Sequence, residues 1–167
     1  MIVDVIGDGF EYRELWLLVR DANDRWYIGP TLAHQRAIGA EPPTPRFEYL
    51  DVIPGGPAEL VVTVRQEEHD IAMGLNLDDV SFYGSLHICG IGPSGRPSCA
   101  SPPSFLHWRE ERPANPGYPV EGDLAPPSGY EYTYTIDAGR VTMRLQRGQP
   151  PKDPPRTQWE EHAIVLP

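Results

Sequence analysis

The chain has 167 residues, 20 of them proline and 16 glycine, with 40% hydrophobic and 10% aromatic residues and a formal net charge of -10. A chain of this length buries roughly 70% of its unfolded surface and needs no cofactor to fold, and its apolar content separates it from disordered polymers. The acidic balance, without any cluster of Lys and Arg, argues against nucleic acid and anionic membrane surfaces, both of which require a cationic footprint.

No apolar run reaches the ~20 residues needed to span a bilayer. Met1 leads straight into IVDVIGDGFEY, without the basic start and apolar stretch of a secretion signal. Cysteine use and the Pro/Gly/Tyr-rich composition still lead us to expect an exported domain (periplasmic, cell-surface or extracellular) whose signal has been removed. A cytoplasmic protein is the alternative.

The organisation is one of successive hairpins within a single domain spanning residues 1–167. Glu14 to Arg20 and Arg25 to Ile28 read as two strands around the polar turn Asp21-Ala-Asn-Asp24, whose side chains bond the local backbone. Thr31 to Ile38, ended by Gly39, reads as one or two helical turns, and Glu41-Pro-Pro-Thr-Pro45 as a stiff connection. Leu60, Val62 and Val64 alternate with Val61, Thr63 and Arg65, the period of a half-buried strand that leaves the core at Gln66-Glu-Glu-His-Asp70. From Val80 to Cys89, Phe82, Leu86 and Ile88 share one face and Tyr83, Ser85, His87 and Cys89 the other.

Arg112 to Ser128, with five prolines, reads as a long surface loop. After it, Tyr130, Tyr132, Tyr134 and Ile136 alternate with polar residues, Asp137-Ala-Gly139 turns, and Val141, Met143 and Leu145 alternate again. A proline-rich stretch from Pro150 to Pro155 precedes a last strand from Gln158 to Leu166. This pattern predicts an all-β fold, an antiparallel β-sandwich with a β-barrel as runner-up, and at most one or two short helices.

Both cysteines lie in His87-Ile-Cys89-Gly-Ile-Gly-Pro-Ser-Gly-Arg-Pro-Ser-Cys99-Ala-Ser101. Cys89 ends a strand, and the glycines and prolines beyond it turn the chain back toward Cys99. A disulfide is the first reading, stabilising by roughly 2.5–3 kcal/mol through loop closure. Free thiols or a zinc site from His87, Cys89, Cys99 and His107 are the alternatives, the latter weakened by the lack of cysteines two to four residues apart. Gly90-Ile-Gly92-Pro-Ser-Gly95 matches a dinucleotide fingerprint in letters only. Pro97, Pro102 and Pro103 exclude the helix that would have to follow.

Glu67, Glu68, His69 and Asp70, with Asn76, Asp78 and Asp79, are the densest polar cluster. Oxygen ligands of this kind suit calcium, and a histidine beside carboxylates suits acid–base chemistry, but no calcium-loop order is present. A solvated hairpin end is the plainer reading. Asp21, Asn23 and Asp24 form a turn before they form a metal loop. No G-x-S-x-G nominates a nucleophile, and no cofactor is expected. Trp16, Trp26, Trp108 and Trp159 with the tyrosines supply platform-like rings. Trp108, Tyr130, Tyr132 and Tyr134 are candidate binding residues provided that they face solvent; core pairs across strands are the competing reading.

Trp16-Leu-Leu-Val-Arg20, Arg25-Trp-Tyr-Ile-Gly29 and the Cys89-to-Cys99 segment together resemble uncharacterised secreted or lipoprotein β domains of GC-rich bacteria. The resemblance covers about half the chain; it implies export and a disulfide, and carries no activity or ligand. The expectation is therefore a non-enzymatic exported binding or structural module of the cell envelope or a larger assembly. Its partner would be another protein or an envelope component. A cytosolic acidic inhibitor of a basic partner is the alternative, and a hydrolase or metal enzyme using His69 or His87 is third.

Overall fold

A computed structural model describes residues 2–6, 12–20, 23–36 and 43–167. Among them β1 (Ile2–Ile6), β2 (Tyr12–Arg20) and β3 (Trp26–Arg36) form a three-stranded sheet in the order β1-β2-β3. The second sheet contains β4 (Thr44–Leu50), β5 (Glu59–Ala72), β6 (Leu77–Ile91), β7 (Pro97–Ala100), β8 (Leu106–Pro113), β9 (Ser128–Asp137), β10 (Arg140–Gly148) and β11 (Trp159–Ala163). Its order is β11-β10-β9-β8-β6-β5-β4, with β7 paired to the end of β6. The two antiparallel sheets make an all-β sandwich, and the large sheet is not closed into a barrel.

Local sequence explains most of these elements. The β9–β10 hairpin turns on Ala138 and Gly139, both at positive φ (45° and 77°), as a two-residue turn matching strand twist requires. The Cys89-to-Cys99 segment is likewise a hairpin. Gly92 N–H donates to Arg96 O at 2.9 Å, and Gly95 takes a φ of 72° open to glycine. The segment from Ala114 to Pro127 carries no strand, in line with its prolines.

Two expectations need correction. Thr31 to Arg36 is the second half of β3 and not a helix; residues 37–42, including Ile38, Gly39 and Glu41, lie outside the described residues. The register against β2 shifts between Thr31 and Ala33, so Leu32 and Ala33 both meet the same core and Gln35 is buried after them. A bulge thus spaces buried residues in a way that imitates a helical turn. Likewise Thr44 and Pro45 belong to β4 and not to a stiff connection.

The period-of-two strand at Leu60 is buried on both faces, not one. Val62 and Val64 pack with Leu15, Leu17, Leu32 and Cys89 under the small sheet, while Val61 joins Leu86, Ile88, Phe105, Leu106, Tyr132, Val141 and Met143 in the main core. That main core exists because the large sheet curls over. β5 and β9 lie three strands apart, about 14 Å in a flat sheet. Yet Thr63 Oγ1 and Tyr134 Oη are 2.7 Å apart.

Arg156 seals one side of this core. Its side chain is 6% exposed, donates from Nε to Glu160 Oε1 at 2.9 Å and from Nη1 to Ser104 O at 2.6 Å, and stacks over the Tyr132 ring at 4.2 Å. Tyr132 Oη in turn donates to Thr157 O at 2.8 Å. Cation, ring and carbonyls there satisfy one another in a site with little water.

Candidate functional site

The curl leaves an opening between its two walls. A cleft of about 1010 Å³ runs between β4 and β5 on one side and β9 on the other. Leu50, Val61, Phe105 and Ile136 give it an apolar floor, and Thr63 with Tyr134 joins the walls through their hydroxyls. Arg46, Glu48 and Arg65 line it as well. Arg65 is largely exposed, sits 5.4 Å over the Phe105 ring and reaches Glu131 Oε1 at 3.5 Å, a long contact that leaves the guanidinium adaptable. The lining is thus mixed, with polar side chains at least as numerous as the apolar ones, and a concavity that sets polar groups around an apolar floor can orient a ligand as well as bury it.

The cysteine segment resolves differently. Cys89 and Cys99 are bonded, sulfur to sulfur, across the β6–β7 pair. A zinc site from His87, Cys89, Cys99 and His107 is therefore excluded, because both thiolates are consumed. His107 also lies elsewhere, stacked on Tyr83 with ring centres 5.1 Å apart. His87 is buried between the sheets. Its Nε2 faces the Leu32 carbonyl at 2.8 Å, which can only accept, so the proton sits there and Nδ1 accepts from Ser101 Oγ at 2.8 Å.

Burial lowers the His87 pKa from the ordinary 6.5, opposed by the bond to Leu32. The folded value then lies below the unfolded one, so between them the unfolded chain holds the proton and the folded chain does not. Stability is expected to fall as pH drops below 6.5 through this window. Urea midpoints in neutral and mildly acidic buffer measure it, and His87→Gln should remove that part of the pH dependence. An unchanged slope in the variant would assign it to other groups.

The acidic cluster is held by cations of the chain itself. The His69 ring lies between Glu67 Oε1 (3.1 Å) and Asp78 Oδ2 (3.0 Å), and Arg112 donates to the same two carboxylates at 3.3 and 3.2 Å. Asp79 is paired with Arg109. Asn76 donates to the carbonyls of Asn115, Tyr118 and Pro119 and accepts from Asn115 N–H, tying the hairpin tip to the long loop. The side chains of Asn76, Asp78 and Asp79 thus have partners inside the chain, the arrangement of a closed hairpin end. Among the described residues no group of three or more His, Cys, Asp and Glu is arranged to hold a metal ion.

The tyrosine stripe does not face solvent as a whole. Tyr132 is 2% exposed in the main core, Tyr134 is half-buried against Thr63 and Phe105, and Tyr130 lies edge-on to His107 and Tyr132. Trp108 is partly buried, with the Arg147 guanidinium 4.2 Å over its ring. Only Tyr134 of these candidates reaches the cleft, as part of its wall.

No protein-family model, curated protein or solved structure matches the chain.

The cleft was not nominated from sequence, apart from Tyr134. Thr63 and Tyr134 are 71 positions apart, and neither period nor turn chemistry announces a sheet that folds over. The one available signal was Arg65, a cation at the end of an apolar alternating run.

Proposed function

We propose that this protein is an exported, non-enzymatic binding module that takes a segment of another protein in the cleft between β4–β5 and β9. The observation that carries this reading is the exposed Arg65 standing over the Phe105 ring in a cleft that Leu50, Val61 and Ile136 also line. A chain segment with an apolar side chain next to a carboxylate would fill the floor and draw Arg65 away from its long contact with Glu131. The disulfide supports export, since such bonds persist in oxidising compartments. The buried bond from His87 to the Leu32 carbonyl lies outside the cleft lining and runs from β6 to β3, so the reading assigns it to joining the sheets.

The test is selection of a displayed random-peptide library on the immobilised protein, with enriched peptides then synthesised and titrated calorimetrically. Enriched peptides should carry acidic and apolar residues together. Arg65→Glu and Ile136→Lys should each weaken them by about tenfold or more. No enrichment, or peptides indifferent to both substitutions, would overturn the proposal.

A further inference from the structure

The free edge of the large sheet carries a pattern that complements itself. β4 reads Thr44-Pro-Arg-Phe-Glu-Tyr-Leu50, and among the described residues it pairs only with β5, leaving its outer backbone groups without a strand. An edge of this kind is a template for another strand. Natural edges are blunted by charge or proline, and β4 has both, but its charges are arranged in a particular way.

Consider two copies of β4 laid antiparallel with Phe47 opposite Phe47. Arg46 of each copy then lies opposite Glu48 of the other, and Pro45 lies opposite Tyr49. Directly opposed residues in an antiparallel pair point to the same face with close Cβ atoms, so both Arg–Glu pairs meet on the cleft side. Among the described residues neither Arg46 nor Glu48 has an ion pair or side-chain hydrogen bond, and both are exposed. On the opposite face Phe47 (50% exposed) and Tyr49 (74% exposed) would cover one another's apolar surface. Pro45 removes one donor per copy and leaves the other backbone groups of the edge able to pair. The other end of the sheet does not share this property. Centring β11 on itself would set Glu161 against Glu161.

We infer that β4 is the interface between two copies of this chain, joined edge to edge into one continuous sheet about a two-fold axis at Phe47. Such an interface is isologous, each copy supplying the same patch. It places the two clefts on one face of the joined sheet, side by side across the axis. The inference is independent of what the clefts bind.

Sedimentation velocity over a concentration series tests it, using the full chain and three samples besides wild type. Wild type should pass from the 18.7 kDa monomer to twice that mass as concentration rises. Arg46→Glu sets Glu against Glu48 at both positions, and Glu48→Arg sets Arg against Arg46; each should weaken association by about tenfold or more. An equimolar mixture of the two variants restores opposite charges at both positions and should recover the dimer as a heterodimer. Unchanged circular dichroism will show that these exposed substitutions leave the fold intact. Wild type that stays monomeric throughout, single variants that associate like wild type, or a mixture no tighter than the single variants would each overturn the inference.

Discussion

Arg156→Met should cost about 3–5 kcal/mol, the largest single effect expected in this molecule, because it leaves Glu160 buried without its cation. Glu160 is 10% exposed in its side chain and takes Arg156, His162 and the Thr157 N–H as donors. Burial alone would raise its pKa; the bonds to Arg156, then to His162 and Thr157, outweigh burial and bring it below the ordinary 4.5. A lowered folded pKa contributes stability above the unfolded value and loses it as pH falls through the folded one. In Arg156→Met the largest of the bonds that oppose burial is gone, so the Glu160 pKa should rise and mild acidification should cost the variant less stability than it costs wild type. Urea midpoints across pH measure that difference. Arg156→Met with Glu160→Leu removes the stranded charge as well and should recover most of the lost stability. If the double variant is as weak as the single one, the packing of Arg156 on Tyr132 is what matters and not the ion pair.

Reducing the Cys89–Cys99 bond should lower stability by about 2.8 kcal/mol, the loop-closure entropy of an eleven-residue ring. The effect should spread beyond the ring. β7 has only four residues, is held to β6 by this bond and its ladder, and lies against β3 of the small sheet. With the bond open, amide exchange should accelerate in β7 and in β3 from Trp26 to Arg36, while β9 and β10 keep their protection. Paired denaturation curves with and without reductant, with intact mass confirming the loss of two hydrogens on oxidation, measure the first part. Cys89→Ala with Cys99→Ala should do slightly worse than reduction, because Cys89 is 5% exposed in the core under the small sheet. Equal midpoints in oxidised and reduced protein would mean that the ladder alone holds β7.

What could be read from the residues follows the range of the forces involved. The β9–β10 hairpin was legible because alternation and an Ala-Gly turn both act within a few positions. The disulfide was legible for the same reason, since its loop is short. Thr31 to Arg36 misled because a bulge interrupted the alternation and placed Leu32 and Gln35 three apart on buried positions. The cleft depends on β5 and β9 meeting across the curl, which no local pattern encodes. Arg156 was invisible in a proline-rich stretch, its worth coming wholly from Tyr132, Ser104 and Glu160 around it. The acidic cluster showed its members but not its answer, because Arg109 and Arg112 arrive from β8, a strand formed some thirty residues later.

The order of the large sheet has a consequence for how the molecule is made. From β4 to β11 every strand pairs with its nearest neighbour in the chain, apart from the small detour of β7 beside β6. Loop closure grows costlier with separation, and all-β proteins fold slowly chiefly because distant strands must find each other. Here the strands can be added one at a time as the chain emerges, each new one finding its template already in place. Two steps reach further: the β1–β3 sheet settles on Val62 and Val64, and Tyr134 is brought over to Thr63, a hinge-like closure of a largely formed object.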